Sequence, residues 1–76
     1  MELLILGTGC DKCTRLEQTT RQAADEMGLD YTLRKVGEIN EIISHGVMVT
    51  PALVKDGTVM CVGKVPSLDD IKGYLA

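Results

Sequence analysis

The chain has 76 residues, of which 45% are hydrophobic and 25% are charged; this excludes intrinsic disorder, which combines low hydrophobicity with high net charge. Eight Lys and Arg residues against eleven Asp and Glu residues leave a net charge of −3, which disfavours nucleic-acid binding because cationic side chains must neutralise the phosphates. No apolar run is longer than the four residues of Leu3–Leu6, which is too short to span a bilayer.

Strand and helix patterns alternate along the chain. Leu16, Thr20 and Ala23 recur at helical spacing, and Asp56-Gly57 is a dipeptide typical of tight β-hairpins. The predicted elements are, in chain order, a strand Glu2–Leu6, a helix from Asp11 to Met27, a strand Tyr31–Val36, a short helix with Ile39, Ile42 and Ile43 on one face, strands Ala52–Lys55 and Thr58–Val62, and a helix capped by Ser67.

This order, β-α-β-α-β-β-α, predicts an α/β fold. The first β-α-β unit requires a parallel strand pair with a right-handed crossover, and the Asp56-Gly57 hairpin adds an antiparallel pair. We therefore expect a mixed four-stranded sheet with three flanking helices, forming a single domain over residues 1–76 because the chain is too short for two.

The cysteines indicate the cellular compartment. Three cysteines are too few, and odd in number, for a secreted disulfide framework. The N-terminus also lacks the basic and long apolar segments of a secretion signal. We expect a soluble, cytoplasmic monomer that binds neither nucleic acid nor membranes.

Cys10 and Cys13 form a CxxC motif where the first predicted strand passes into the first predicted helix. Positions i and i+3 of a first helical turn bring two Cα atoms within the ~4.4–6.8 Å that a disulfide requires. The helix N-terminus favours a thiolate at Cys10, and Cys13 should be the less exposed cysteine that resolves a mixed disulfide. We expect Gly7 and Gly9 to keep the approach to Cys10 free of side chains and to allow unusual backbone angles.

Two motifs stand in a characteristic order: Gly-Thr-Gly-Cys10-Asp-Lys-Cys13 follows the first strand, and Thr50-Pro51 precedes the third. Together with the element order, they resemble the thioredoxin superfamily, and within it the small thioredoxin-like, redox-active disulfide proteins near glutaredoxin in size. The resemblance implies a protein-disulfide oxidoreductase with Cys10 as nucleophile, Cys13 as resolving cysteine and a redox disulfide between them. It also implies a cis Thr50–Pro51 peptide bond beside the dithiol, with the backbone of Thr50 binding an extended substrate segment.

The resemblance also bears on partners. Gly63 stands alone where glutaredoxins tend to have a glycine pair, so protein disulfides fit better than glutathione. We expect disulfide-containing protein substrates and an upstream disulfide reductase, with no cofactor and no metal. Asp11 opposes stabilisation of a thiolate, which favours work as a cytosolic reductant.

The alternative is a carrier of soft metal ions, copper or zinc, because two thiolates select such metals. Gly-x-x-Cys-x-x-Cys also resembles copper-chaperone domains. Those domains end in a strand, whereas Ser67–Leu75 predicts a helix, and they carry Met two residues before the first cysteine, where this chain has Thr8.

The remaining candidates have structural interpretations. Cys61 is expected to pack in the core on the same strand face as Val59, with a regulatory or intermolecular disulfide as the alternative. Met48 and Met60 are expected to fill gaps in a core without Phe or Trp. Val47–Val49 is either an exposed apolar patch for a partner protein or a packing segment.

Overall fold

The computed structural model describes residues 1–9 and 11–76; Cys10 lies outside them. Within these residues the elements are β1 Glu2–Leu6, α1 Asp11–Glu26, β2 Thr32–Val36, α2 Ile39–Ser44, β3 Ala52–Lys55, β4 Thr58–Val62 and α3 Leu68–Leu75. The predicted element order and the α/β class are confirmed. In this part of the chain, no helix is long and apolar enough to cross a bilayer.

The strands form one mixed sheet in the order β2-β1-β3-β4. Strand β1 pairs in parallel with β2, and α1 makes the crossover that a parallel pair requires. On its other side, β1 pairs antiparallel with β3, so that Leu6 lies opposite Ala52. This register places the residues that follow β1 beside the residues that precede β3.

Strand β1 is buried on both faces, and its side chains alternate between those two faces. Leu3 and Ile5 point into the first core cluster, and Leu4 and Leu6 point into the second. The first cluster is formed with α1, α3, β3 and β4: Leu3, Ile5, Leu16, Ala23, Ala24, Leu53, Cys61, Ile71 and Leu75. The second is formed with β2, α2, β3 and the segment before β3: Leu4, Leu6, Val36, Ile42, Val47, Ala52 and Val54. The sheet is thus covered by α1 and α3 on one face and by α2 on the other.

Local signals set the ends of the helices. Helix α1 ends at Glu26, one residue earlier than the spacing predicts, because Gly28 adopts φ +67°. The N–H groups of Gly28 and Leu29 bond to the carbonyls of Asp25 (3.1 Å) and Ala24 (3.0 Å). These two bonds form a Schellman motif, which satisfies carbonyls that a helix end leaves without partners.

The hairpin between β3 and β4 has the turn that its sequence predicts. Asp56 and Gly57 both have positive φ, at 49° and 85°, as a type I′ turn requires. Asp56 also binds the start of β1: its carboxylate accepts the Glu2 N–H at 2.7 Å, and its own N–H donates to the Glu2 carbonyl at 2.8 Å. The hairpin is thereby held against the end of β1 that lies away from the CxxC motif.

Strand β4 does not keep simple alternation. Leu53 pairs with Cys61 and Val54 pairs with Val59, so Met60 is an extra residue in β4. This β-bulge shifts the facing of the strand between Val59 and Cys61. Cys61 is buried in the first cluster while Val59 is exposed, so the expectation that the two residues share a face is wrong.

Thr20 is a polar residue in the interior. It is fully buried on the inner face of α1, and its hydroxyl has no hydrogen-bond partner among the described residues. The neighbouring Thr19 differs, because its hydroxyl donates to the Arg15 carbonyl at 2.8 Å. A buried hydroxyl without a partner costs ~1–3 kcal/mol of desolvation.

Replacing Thr20 with Val should therefore stabilise the protein. The substitution keeps the branched shape and removes the unsatisfied hydroxyl, so we expect the free energy of unfolding to rise by about 1 kcal/mol. Urea denaturation measures the change. Thr19→Val is the matched control and should give no gain, since it removes a satisfied hydroxyl. A Thr20→Val protein no more stable than the parent would contradict this account of the position.

Candidate active site

The candidate active site lies at the carboxyl end of β1, where the loop Gly7–Gly9 leads into α1. Asp11 and Lys12 are exposed in the first turn of α1, with opposite charges. Cys13 follows them and is only 4% exposed, as expected of the less accessible cysteine of the motif. Cys10 lies outside the described residues, so its role as nucleophile and its disulfide with Cys13 stay predictions.

The two glycines before the motif serve different needs. Gly9 adopts φ +91°, and a Cβ atom there would meet nothing within 4 Å, so conformation is what requires glycine. Gly7 does not lie in that region, and a Cβ atom there would overlap the Sγ atom of Cys13. The expectation that Gly7 serves unusual backbone angles is thus wrong, and Gly7 is required instead by packing against Cys13. Its expected role in access to Cys10 involves a residue outside the described ones and stays a prediction.

Thr50 and Pro51 lie beside this loop, as the pairing of Leu6 with Ala52 dictates. Their peptide bond is cis, the form that the resemblance implies. Pro51 is fully buried and Thr50 is half-buried. The Cα atom of Pro51 lies 4.0 Å from the position of a Cβ atom on Gly7, so the proline is part of the same small cluster as Cys13.

Gly63 supports the segment before β3, a role that sequence analysis did not identify. Its N–H donates to the Pro51 carbonyl at 2.7 Å. It adopts φ +71°, and a Cβ atom there would come within 2.9 Å of Val49 Cγ1. Both conformation and space therefore require glycine, and the only sequence signal for this was the glycine itself.

An apolar groove opens next to Thr50. It has a volume of about 250 Å³ and is lined by Thr8, Thr50, Ile39, Ile42, Ile43, Val47 and Met48. Met48 is 86% exposed, so the expectation that it fills a gap in the core is wrong, whereas Met60 does pack against the first cluster. The segment Val47–Val49 divides: Val47 is buried, while Met48 and Val49 are exposed.

Cys61 lies apart from this cluster, among the apolar side chains of the first core cluster. It is 7% exposed. Burial raises the pKa of its thiol, with a smaller opposing effect from a backbone hydrogen bond at Leu53. A thiol that is buried and harder to ionise is a weak nucleophile, which agrees with the packing interpretation of this residue.

Comparison with known proteins identifies relatives along the whole chain. A family model described as a thioredoxin domain matches residues 1–76. A thioredoxin from Methanothermobacter thermautotrophicus is 37% identical over 76 residues, covering 100% of this chain and 99% of the relative. A thioredoxin from Methanocaldococcus jannaschii is 40% identical over 71 residues, covering 93% of this chain and 81% of the relative.

The family of these relatives agrees with the fold of the chain. The mixed four-stranded sheet, the buried cysteine in the first turn of α1 and the proline before β3 have the order that the sequence resemblance implies. The matches extend over both motifs rather than over a shared fragment. With its thioredoxin-like β-α-β-α-β-β-α fold, the chain belongs to the thioredoxin family.

Proposed function

We propose that the chain exchanges a Cys10–Cys13 dithiol or disulfide with protein partners and acts as a cytoplasmic reductant. The thioredoxin relatives support a thiol–disulfide oxidoreductase type of function. The observation that carries the finer proposal is the placement of Cys13, which is buried in the first turn of α1 beside Gly7 and Pro51. A resolving cysteine needs this sheltered position, because it must react with a neighbouring sulfur and not with incoming substrates.

The reaction consists of two exchange steps. The Cys10 thiolate attacks one sulfur of a substrate disulfide, forming a Cys10–substrate bond and releasing the first substrate thiolate. The Cys13 thiolate then attacks Cys10, forming the Cys10–Cys13 bond and releasing the second substrate thiolate. The substrate gains two electrons, the protein loses two, and an upstream disulfide reductase restores the dithiol. No cofactor is required in the protein itself.

The surface beside the motif supports protein substrates. Thr50 lines the apolar groove together with Met48 and with Ile39 and Ile43 of α2, whose side chains are exposed. Exposed apolar patches of this kind mark protein–protein contacts. In the proposal, the backbone of Thr50 pairs with an extended segment that carries the substrate cysteine, and an apolar side chain of that segment occupies the groove.

The metal-carrier alternative gains no support from the fold. Copper-chaperone-like domains end in a strand, whereas this chain ends in helix α3, with Ser67 as its N-cap. The Ser67 hydroxyl accepts the Asp70 N–H at 3.2 Å, as the sequence pattern of the cap predicts. The thioredoxin assignment therefore favours thiol exchange over metal transport.

The proposed division of labour predicts opposite behaviour for two serine variants. Cys13→Ser should accumulate a mixed disulfide with a test protein such as insulin, because the second step is blocked while the first remains possible. Cys10→Ser should accumulate none, because the attacking sulfur is missing. Non-reducing gel electrophoresis and mass spectrometry measure the adduct, with both variants made in a Cys61→Ala background. Equal trapping by the two variants would disprove the assignment.

Cys61 should not take part in the exchange. Because its sulfur lies in the first core cluster and burial raises the pKa of its thiol, Cys61→Ala should reduce insulin at a rate within a few-fold of the parent. Circular dichroism at the assay temperature should verify that the variant is folded, since the loss of a buried sulfur lowers stability. A folded Cys61→Ala protein that lost turnover and changed its reduction potential would show that Cys61 participates.

A further inference from the structure

We propose that Gly7 is a positioning residue for the resolving step. Because Gly7 has no side chain, the sulfur of Cys13 can lie in the position from which it attacks Cys10. This inference rests on the proposed thiol–disulfide exchange. It concerns a residue outside the CxxC motif, which acts only through Cys13.

Gly7 and Cys13 can approach closely only because Gly7 has no side chain. A Cβ atom on Gly7 would overlap Cys13 Sγ, would lie 3.2 Å from Cys13 Cβ and would lie 4.0 Å from the Cα atom of Pro51. The nearest of these three is the sulfur itself. An alanine at position 7 would therefore press on the one atom of Cys13 that takes part in the reaction.

Neither Gly7 nor Cys13 can easily move away from the other. The N–H of Gly7 donates to the Val36 carbonyl at 2.9 Å, which extends the pairing of β1 with β2 by one residue. Cys13 is buried in α1, whose inner face packs on the sheet, so the sulfur must give way before the helix does.

Conformation does not explain this glycine. Gly7 lies outside the positive-φ region that disfavours other residues, whereas Gly9 has φ +91°. An alanine at position 7 is thus compatible with the backbone angles and conflicts with the side chain of Cys13, most severely with its sulfur. A substitution at position 7 therefore changes where the Cys13 sulfur lies without requiring a new backbone conformation in the loop.

Displacement of this sulfur should affect only one of the two chemical steps. In the first step Cys10 attacks the substrate, and Cys13 takes no part. In the second step Cys13 must reach Cys10 in line with the Cys10–substrate bond, so that the new sulfur–sulfur bond forms as the old one breaks and the substrate leaves as a thiolate. A misplacement of ~1 Å in such a geometry can cost ~10²-fold in rate.

Ellman's reagent resolves the two steps. The first thionitrobenzoate ion is released when Cys10 attacks the reagent, and the second is released when Cys13 resolves the mixed disulfide. In a Cys61→Ala background, Gly7→Ala should release the first ion at nearly the parental rate and the second at least about tenfold more slowly. Gly37→Ala is the matched control, because its new Cβ atom would make only an ordinary contact, and both of its phases should stay parental.

The outcomes separate this inference from the proposed function. Parental rates in both phases of Gly7→Ala, or equal slowing of both, would overturn the role of Gly7. A parent protein that released no second ion would instead refute the proposed function, whatever Gly7→Ala did.

A second variant covers the case in which Gly7→Ala does not fold. Removing the sulfur as well, in Gly7→Ala with Cys13→Ala, should restore folding and bring the free energy of unfolding close to that of Cys13→Ala alone. If the double variant were as destabilised as Gly7→Ala, contact with the sulfur would not be the reason for the glycine, and the inference would be wrong.

Discussion

The burial of strand β1 on both faces is the constraint on which the rest of the structure depends. Its side chains alternate between two core clusters, one beneath α1 and α3 and one beneath α2. Each fully buried leucine or isoleucine contributes ~1.5–3 kcal/mol relative to an exposed one, so the register of this strand is strongly specified. A slip by one residue would exchange the two faces and would move the end of the strand, where the candidate active site begins.

The geometry of the site follows from that register. Because Leu6 lies opposite Ala52, Gly7 is brought next to Pro51. Helix α1 begins at the same end of the sheet, directly after the loop that follows β1. Cys13 then packs against Gly7 in the loop after β1, and Pro51 lies close to the same glycine. Gly63, directly after β4, completes the arrangement, since its N–H donates to the Pro51 carbonyl and its lack of a side chain leaves room for Val49.

Much of this could be predicted from the sequence because its signals are local. The hairpin at Asp56-Gly57, the cap at Ser67 and the stop at Gly28 depend on neighbouring residues, and each forms as the sequence indicates. The bulge at Met60 could not be predicted, because it results from pairing with β3. The exposure of Met48 and the packing of Gly7 on Cys13 also depend on parts of the chain that are distant in sequence.

The central claim is that Cys10 and Cys13 form a reversible redox couple, and a redox titration of the unmodified protein tests it most directly. The protein is equilibrated in dithiothreitol and glutathione buffers, and its thiols are alkylated and counted by mass. We expect three labelled cysteines to fall to one in a single two-electron transition, with a midpoint nearer to about −270 mV than to about −120 mV. Retention of all three thiols at every potential, or an oxidised form that joins Cys13 to Cys61, would contradict the account.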